Sequence, residues 1–365
     1  MENVTQQQEV VFSVQNGVGR IVLNRPKALN ALSVAMVDMI GKQLSAWEND
    51  AQVVIVTVEG AGEKGLCAGG DMRSFYDKKD DNVEEHAVNF FGIEYRMNLQ
   101  MYRYPKPIVA YMNGIVMGGG VGISIFAAER IVTERSKLSM PEMNIGFFPD
   151  VGGSYFMNQM PGHMGRYLAL TAHLFTGADA VYLGAADHYI ESASWDALKA
   201  DIAAHDWTQK ADAARDLRML LQKYTVTAPA SSLAAVQEKV DTHFAHESVV
   251  DILASLDRAA QEDDEWAQQT AATLRTKSPI SMSVALEQLI RGKQMSAADC
   301  FRMEMDMSMH FMHSHDFYEG VRSVLVDKDR NPKWNPATVE EVKREDVEAF
   351  FVSPWEKEDH PLANE

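Results

Sequence analysis

The sequence predicts an α/β protein whose second half is almost entirely helical. Three observations carry this. Short β-branched runs alternate with helix-period segments as far as residue 190 or so. From about Ser194 onward the periodicity is helical, and Asn, Gly and Pro mark most of the changes. The switch near residue 200 divides the chain into a core at 1–200 and a mainly helical region at 201–365.

Each element has its own signal. Residues 10–14 and 18–23 read as two strands joined at Asn16 and Gly17, a pair suited to a hairpin turn. Ser33 can cap a helix that places Val34, Val37, Ile40, Leu44 and Trp47 on one face. Residues 53–58 form a β-branched run and so a buried strand, and 83–102 have helical period. Residues 130–133 read as another short strand. In the second half, Ser278, Pro279 and Gly292 delimit a helix with Met282, Leu286 and Leu289 on its apolar face. Another helix starts at Ser296 and runs into the methionine-rich stretch 303–312.

Charge and composition exclude several classes. The chain of 365 residues holds 52 acidic and 34 basic side chains, a formal charge of −18. Nucleic acid is bound by basic surfaces, so it is excluded as a partner. Residues 1–190 carry net −5 and 191–365 net −13. Two cysteines, Cys67 and Cys300, cannot build a disulfide framework or a four-thiolate zinc site. The 22 residues from 107 to 128 carry no charge, which is membrane-spanning length. Five of them are glycine, however, so the better parse is a strand at 108–112, a glycine-rich turn and a short buried helix to Ala128. The first basic residue is Arg20, preceded by Glu2 and Glu9, which fits neither a secretory nor a transit segment. The expectation is a cytoplasmic protein without a membrane span.

Several motif matches yield to simpler readings. GAGEKG at 60–65 fits a dinucleotide pattern, yet it leads into glycine-rich sequence instead of a helix, so it reads as a connecting turn. GGSYF at 152–156 has Phe156 where a serine-hydrolase elbow needs glycine, which makes Ser154 a helix-start residue. His310, His313 and His315 complete no zinc pattern and read as surface or packing residues. Cys67 reads as a small buried residue. No metal or redox cofactor is indicated.

Three signals are stronger. In CAGGDM, 67–72, Asp71 is placed to cap a helix through Ser74 and Phe75, which puts the Gly70 amide at its N-terminus. In MGGGVG, 117–122, Gly119 heads the next helix in the same way. Two such amides converging would make an oxyanion hole, each donor being worth about 10²–10³ in rate. Third, MPEMNIGFFPDVGG sets Glu142 and Asp150 among apolar residues, where desolvation raises a carboxyl pKa and suits acid–base work. Loop carboxylates or helix caps would give the same pattern. Glu94 shares a helical face with Phe90, Met97 and Met101, and a buried acid without a partner is costly.

Together these residues resemble the crotonase (enoyl-CoA hydratase/isomerase) superfamily. The similarity begins at VGRIVLNRPKALNAL and continues through CAGGD, NGIVMGGGVG and MPE. It implies a spiral of β-β-α units with a helical C-terminal region, and an acyl-CoA thioester as ligand. The Gly70 and Gly119 amides would hold the thioester oxygen. Arg25, Lys27 and Leu29 would lie beside the CoA nucleotide, with Asp71 counted among the substrate-binding residues. Hydratases of the family carry a glutamate where this chain has Gly122, whereas Glu142 occupies the second acid position and Asp150 adds another. MPE…GFFPDVGG and the tail HDFYEGVRSVLVDKDRNPKW resemble the branch that hydrolyses 3-hydroxyisobutyryl-CoA in valine breakdown. That branch implies hydrolysis of a β-hydroxyacyl-CoA, with CoA as part of the substrate and no separate cofactor. Glu142 would attack the thioester or activate water, Asp150 would orient water or the substrate hydroxyl, and Glu94 would help bind the acyl end. An enoyl-CoA hydratase, a dienoyl-CoA isomerase or a non-catalytic acyl-CoA-binding protein are the alternatives. The helical half could supply a homo-oligomer interface. Residues 195–260 align with little.

Overall fold

The computed structural model describes residues 8–207 and 212–365. Glu2, used above in reading the N-terminus, lies outside them. Strand pairs followed by helix recur along the first half of the chain. The hairpin β1 (Val10–Gln15) and β2 (Val18–Leu23) precedes the helix Val34–Glu48. β3 (Ile55–Gly60) and β4 (Gly65–Cys67) precede the helices Arg73–Asp77 and Val83–Tyr102. β5 (Ile108–Tyr111) and β6 (Ile115–Met117) precede the helix Gly119–Gly122, and β7 (Glu129–Val132) and β8 (Lys137–Ser139) precede the turn Glu142–Ile145. Two short strands follow, β9 (Phe175–Thr176) and β10 (His188–Tyr189). Past β10 the regular elements among the described residues are helical. The architecture is α/β with a helical C-terminal region, as expected.

The strands sort into two sheets. One has the order β1-β2-β3-β5-β7-β10, antiparallel at β1/β2 and parallel beyond; the other runs β4-β6-β8-β9. Parallel strands are covered on both faces, which is why β3 and β5 read as continuous apolar runs. Asn16 and Gly17 both have positive φ, the geometry of a tight hairpin turn. Ser33, Ser278 and Ser296 each cap their helix, their hydroxyls accepting from Met36, Ser281 and Asp299 N–H.

The chain forms two compact units, interleaved in sequence. Unit 1 is Met1–Gly70, Gln100–Leu138 and Thr176–Ala230; unit 2 is Asp71–Leu99, Ser139–Phe175 and Ser231–Glu365. The expected division at residue 200 marks a change of secondary structure and not of compaction. In unit 1, the helices Trp195–Ala204 and Ala213–Gln222 bury Leu198, Ile202, Leu217 and Leu221 with Val18, Ile55, Val109 and Ile131 of the large sheet. A parallel sheet needs that cover, so part of the segment that aligned with little serves unit 1. Unit 2 is built around an aromatic cluster. Phe147 lies 4.4 Å from Phe148, 5.0 Å from Phe311 and 5.9 Å from Phe91, centroid to centroid.

The uncharged stretch contains more turns than expected. Gly114 has φ +72 and opens β6, a strand absent from the parse made above, and the following helix spans four residues where one reaching Ala128 was expected. β6 pairs with β4, and beyond Gly122 the chain continues in turns in which the Ser124 and Ile125 N–H donate to the Val121 carbonyl and the Ala127 N–H to that of Ser124. Among the described residues no helix is long and apolar enough to cross a membrane.

Candidate active site

In unit 1, the glycine turns leave adjacent strands. β4 and β6 run parallel, and CAGG follows the first while GGG follows the second. A Cβ on Gly120 would stand 2.4 Å from the Cys67 carbonyl oxygen, so only glycine lets the two turns approach this closely. A Cβ on Gly69 would lie 3.8 Å from the Gly119 nitrogen. Neither the Gly70 nor the Gly119 N–H donates to a backbone acceptor among the described residues. Gly119 heads its helix as expected, behind Gly118 at φ 49 and ψ −120, a conformation that suits glycine.

Gly70 is placed differently from the expectation. The next helix is Arg73–Asp77, with Met72 at its cap position and no side-chain cap. Asp71 therefore caps nothing with its carboxylate; its carbonyl accepts from the Ser74 N–H and hydroxyl. Gly70 instead forms a parallel bridge with Leu32, and the Leu32 N–H donates to the Gly69 carbonyl. Strand pairing, not a helix end, orients this amide.

In unit 2, three carboxyls are buried together. Glu94, on Val83–Tyr102, is 2 % exposed, Asp150 6 % and Glu142 7 %. Burial drives the pKa of Glu94 and of Glu142 well above the ordinary range, and the charge of Asp150 drives both further. Glu94 Oε1 and Glu142 Oε2 have no hydrogen-bond partner. Asp150 is pushed up to about 7 by burial, while a hydrogen bond from Tyr95 Oη at 3.0 Å pulls it down. All three carboxyls are therefore held above their ordinary range, because each loses water on burial and the charge of Asp150 opposes ionisation of the other two. Glu142 starts a 3-10 turn closed by Gly146 at φ 64, and the Phe147 N–H donates to its carbonyl. Asp150 sits ahead of Val151 and Gly152, both with positive φ.

Comparison with known proteins places the chain in a family. The family described as enoyl-CoA hydratase/isomerase matches residues 18–351. The chain belongs to that family. A zebrafish (Danio rerio) protein named 3-hydroxyisobutyryl-CoA hydrolase, mitochondrial, is 39% identical, covering 96% of this chain and 91% of its own. A Neurospora crassa relative named small ribosomal subunit protein mS47 is 37% identical over 92% of this chain and 69% of its own. The crystal structure of a carnitinyl-CoA dehydratase from Mycobacterium thermoresistibile superposes with a TM-score of 0.88, at 41% identity, over 95% of this chain and 97% of that one.

Against this family background, the remaining expected residues separate. Lys27 is exposed on the short turn Pro26–Ala28. Arg25 is partly committed elsewhere: its Nη1 donates to the Ala31 carbonyl at 2.7 Å and its Nε lies 3.2 Å from Glu9. Leu29 has φ 52, and its carbonyl accepts from Ala68 N–H, which ties this loop to the CAGG turn. Asn30 went unnoticed in the sequence. Its side chain donates to the Ala61 and Gly65 carbonyls and accepts from Arg25 N–H, holding the loop together.

A second group also went unnoticed. Tyr95 Oη lies 3.0 Å from both Asp150 and Ser308 Oγ. Glu304, fully buried, accepts from Gly152 N–H at 2.8 Å, Ser154 N–H at 2.9 Å and Ser154 Oγ at 2.7 Å. Burial pushes Glu304 up to about 8 against those donors. Gln288 donates to Ser154 Oγ and to the Pro149 carbonyl. Glu304 therefore fixes the turn after Asp150, and an acid within MEMDMSM was the signal available. Ser154 starts its helix as read, and Cys67 is buried with Sγ accepting from Gly69 N–H. The three histidines spread to separate partners: the Val352 carbonyl, Glu84 and the Lys333 carbonyl.

Proposed function

We infer that this chain hydrolyses 3-hydroxyisobutyryl-CoA to 3-hydroxyisobutyrate and CoA, a step of valine breakdown. The observation that carries the reading is the match, over nearly the whole chain, to a hydrolase of that name. The coupled carboxyls in unit 2 supply acid–base chemistry consistent with it. In this reading Gly70 and Gly119 N–H donate to the oxygen that becomes negative in the tetrahedral intermediate. Glu142 acts as the carboxylate, and Asp150 orients water or the substrate hydroxyl. Glu142 then attacks the carbonyl carbon to give a mixed anhydride and release CoA, or it draws a proton from water that attacks instead. In the first route water then opens the anhydride to release the acid, and in a single turnover in ¹⁸O-water its attack at the Glu142 carbonyl leaves label in that carboxylate, whereas the second route leaves it unlabelled. Glu94 helps bind the acyl end, Asp71 is among the substrate-binding residues, and Lys27 with Arg25 faces the CoA phosphates.

The deciding experiment is thiol release from a panel of CoA esters. Release with 3-hydroxyisobutyryl-CoA supports the reading. Change at the acyl double bond without release would make the protein a hydratase, dehydratase or isomerase, as the name of the mycobacterial structure would suggest. No turnover of any ester would favour a binding or assembly role, as the ribosomal name of the fungal relative would suggest. We place the protein in the cytoplasm, although the hydrolase relative is named mitochondrial; cell fractionation separates the two.

A further inference from the structure

Unit 2 contains a cavity of about 410 Å³ whose chemistry the hydrolysis does not use. Its lining comprises Asn144, Thr276, Lys277, Ser323, Val324, Arg330, Pro332 and Trp334. Two of these are cations and none is an acid, in a chain where acids outnumber bases 52 to 34. Lys277 is partly buried and donates to Asn144 Oδ1 at 2.5 Å, a neutral acceptor. Burial lowers its pKa, and no carboxylate acts against that. Arg330 is exposed at the rim, and among the described residues neither cation has an ion pair. A partly buried ammonium without a counter-charge loses some of its hydration uncompensated, and an anion would offset that loss.

The backbone around the cavity is also unusual. Ser323 and Val324 lie in a π-helical turn, Arg322–Val326, a form that concentrates at functional sites. Arg330 has φ 52, in the left-handed region, and its N–H donates to the Ser323 carbonyl at 3.0 Å. Trp334 is pinned by its indole N–H on the Thr276 carbonyl, so its ring forms a fixed apolar wall. That wall reaches Gly146, where a Cβ would stand 3.1 Å from the indole.

We propose that this cavity binds a small organic oxyanion, its carboxylate or phosphate between Lys277 and Arg330 and its apolar body against Trp334. The volume exceeds what inorganic phosphate would fill and suits an anion with an apolar body.

Calorimetric titration of the full chain with phenyl phosphate, benzoate and the neutral benzyl alcohol tests this. Saturable one-to-one binding of an anion, with a Kd of about 1 mM or tighter, supports it. The tighter of the two anions then identifies the head group. K277Q and the surface variant R330Q should each weaken binding about tenfold or more, the loss expected for one charge-assisted hydrogen bond. K27Q should bind these anions as the parent does, which separates this cavity from the place proposed for the CoA phosphates. Equal affinity for benzyl alcohol, unchanged binding in the K277Q/R330Q double variant, or no saturable anion binding would each overturn the proposal.

Discussion

The two units carry their candidate chemistry in opposite ways. Unit 1 offers neutral backbone donors, the Gly70 and Gly119 amides, held by strand pairing and by a glycine contact in which a Cβ would meet the Cys67 carbonyl oxygen at 2.4 Å. Unit 2 offers side-chain acids, Glu94, Glu142 and Asp150, buried at a cost and perturbing one another. Backbone donors need no desolvation of charge and cannot be removed by trimming a side chain. Buried acids respond to every substitution and to pH. The difference shows where each unit is vulnerable: unit 1 to added atoms or a lost N–H, unit 2 to lost charge or a lost hydrogen bond.

The largest effect should come from the acid of unit 2. Glu142→Ala is expected to lower kcat for thiol release by about 10³ or more, with CoA affinity measured by calorimetry nearly unchanged. Parental kcat in this variant would remove Glu142 from the chemistry. The matching stroke on unit 1 is Gly119→Pro. Proline fits the first position of a helix and removes only the N–H, so kcat should drop about 10²–10³-fold, while Gly119→Ala retains the donor and most of the rate. Equal losses in both would mean that shape, not the donor, matters there.

Asp150→Asn combines a catalytic and a stability effect. A kcat loss of about 10²-fold is expected. The folded pKa of Asp150, about 7, lies above its ordinary 3.8. Its contribution to stability is therefore fully present below about pH 4 and disappears as pH rises through about 7. The variant should accordingly gain in Tm relative to the parent at pH 8 and not at pH 4. A constant difference across that range would contradict the burial argument. For the same reason the parent kcat should decline as pH falls below about 7, where Asp150 takes up its proton.

Smaller effects test the supports. Tyr95→Phe removes the donor to Asp150, so the acid limb of the pH–kcat profile should move to higher pH with KM little changed. A unit-2 packing defect alone would lower Tm and leave that limb in place. The smallest change is expected in unit 1: Lys27→Gln should raise KM severalfold at low salt and less at high salt, because the residue is exposed and its interaction is screened.

Much of this was legible along the chain. Ser33, Ser278 and Ser296 announce their helices because a cap is a local hydrogen bond. Asn16–Gly17 announces the hairpin because two positive φ values demand such residues. Glu94, Glu142 and Asp150 stood out because carboxyls are rare in apolar runs, and all three are buried. What escaped notice was non-local. Tyr95 gains significance from Asp150, 55 residues away, and Glu304 from Ser154, 150 residues away. Strand β6 was absorbed into a turn because its three residues matter only once β4 lies beside them.

The sequence by itself determined the alternation of strand and helix, the helix starts, the family and the acids available to it, since each depends on neighbours within a few turns. Tertiary structure alone decided the two interleaved units, the strand bridge that orients Gly70, the Tyr95 and Glu304 supports of the Asp150 turn, and the burial that raises the pKa of each carboxyl. The physical reason is that burial and charge coupling are properties of groups brought together from distant positions. No local pattern encodes how much water a carboxyl will lose or which other charge it will face.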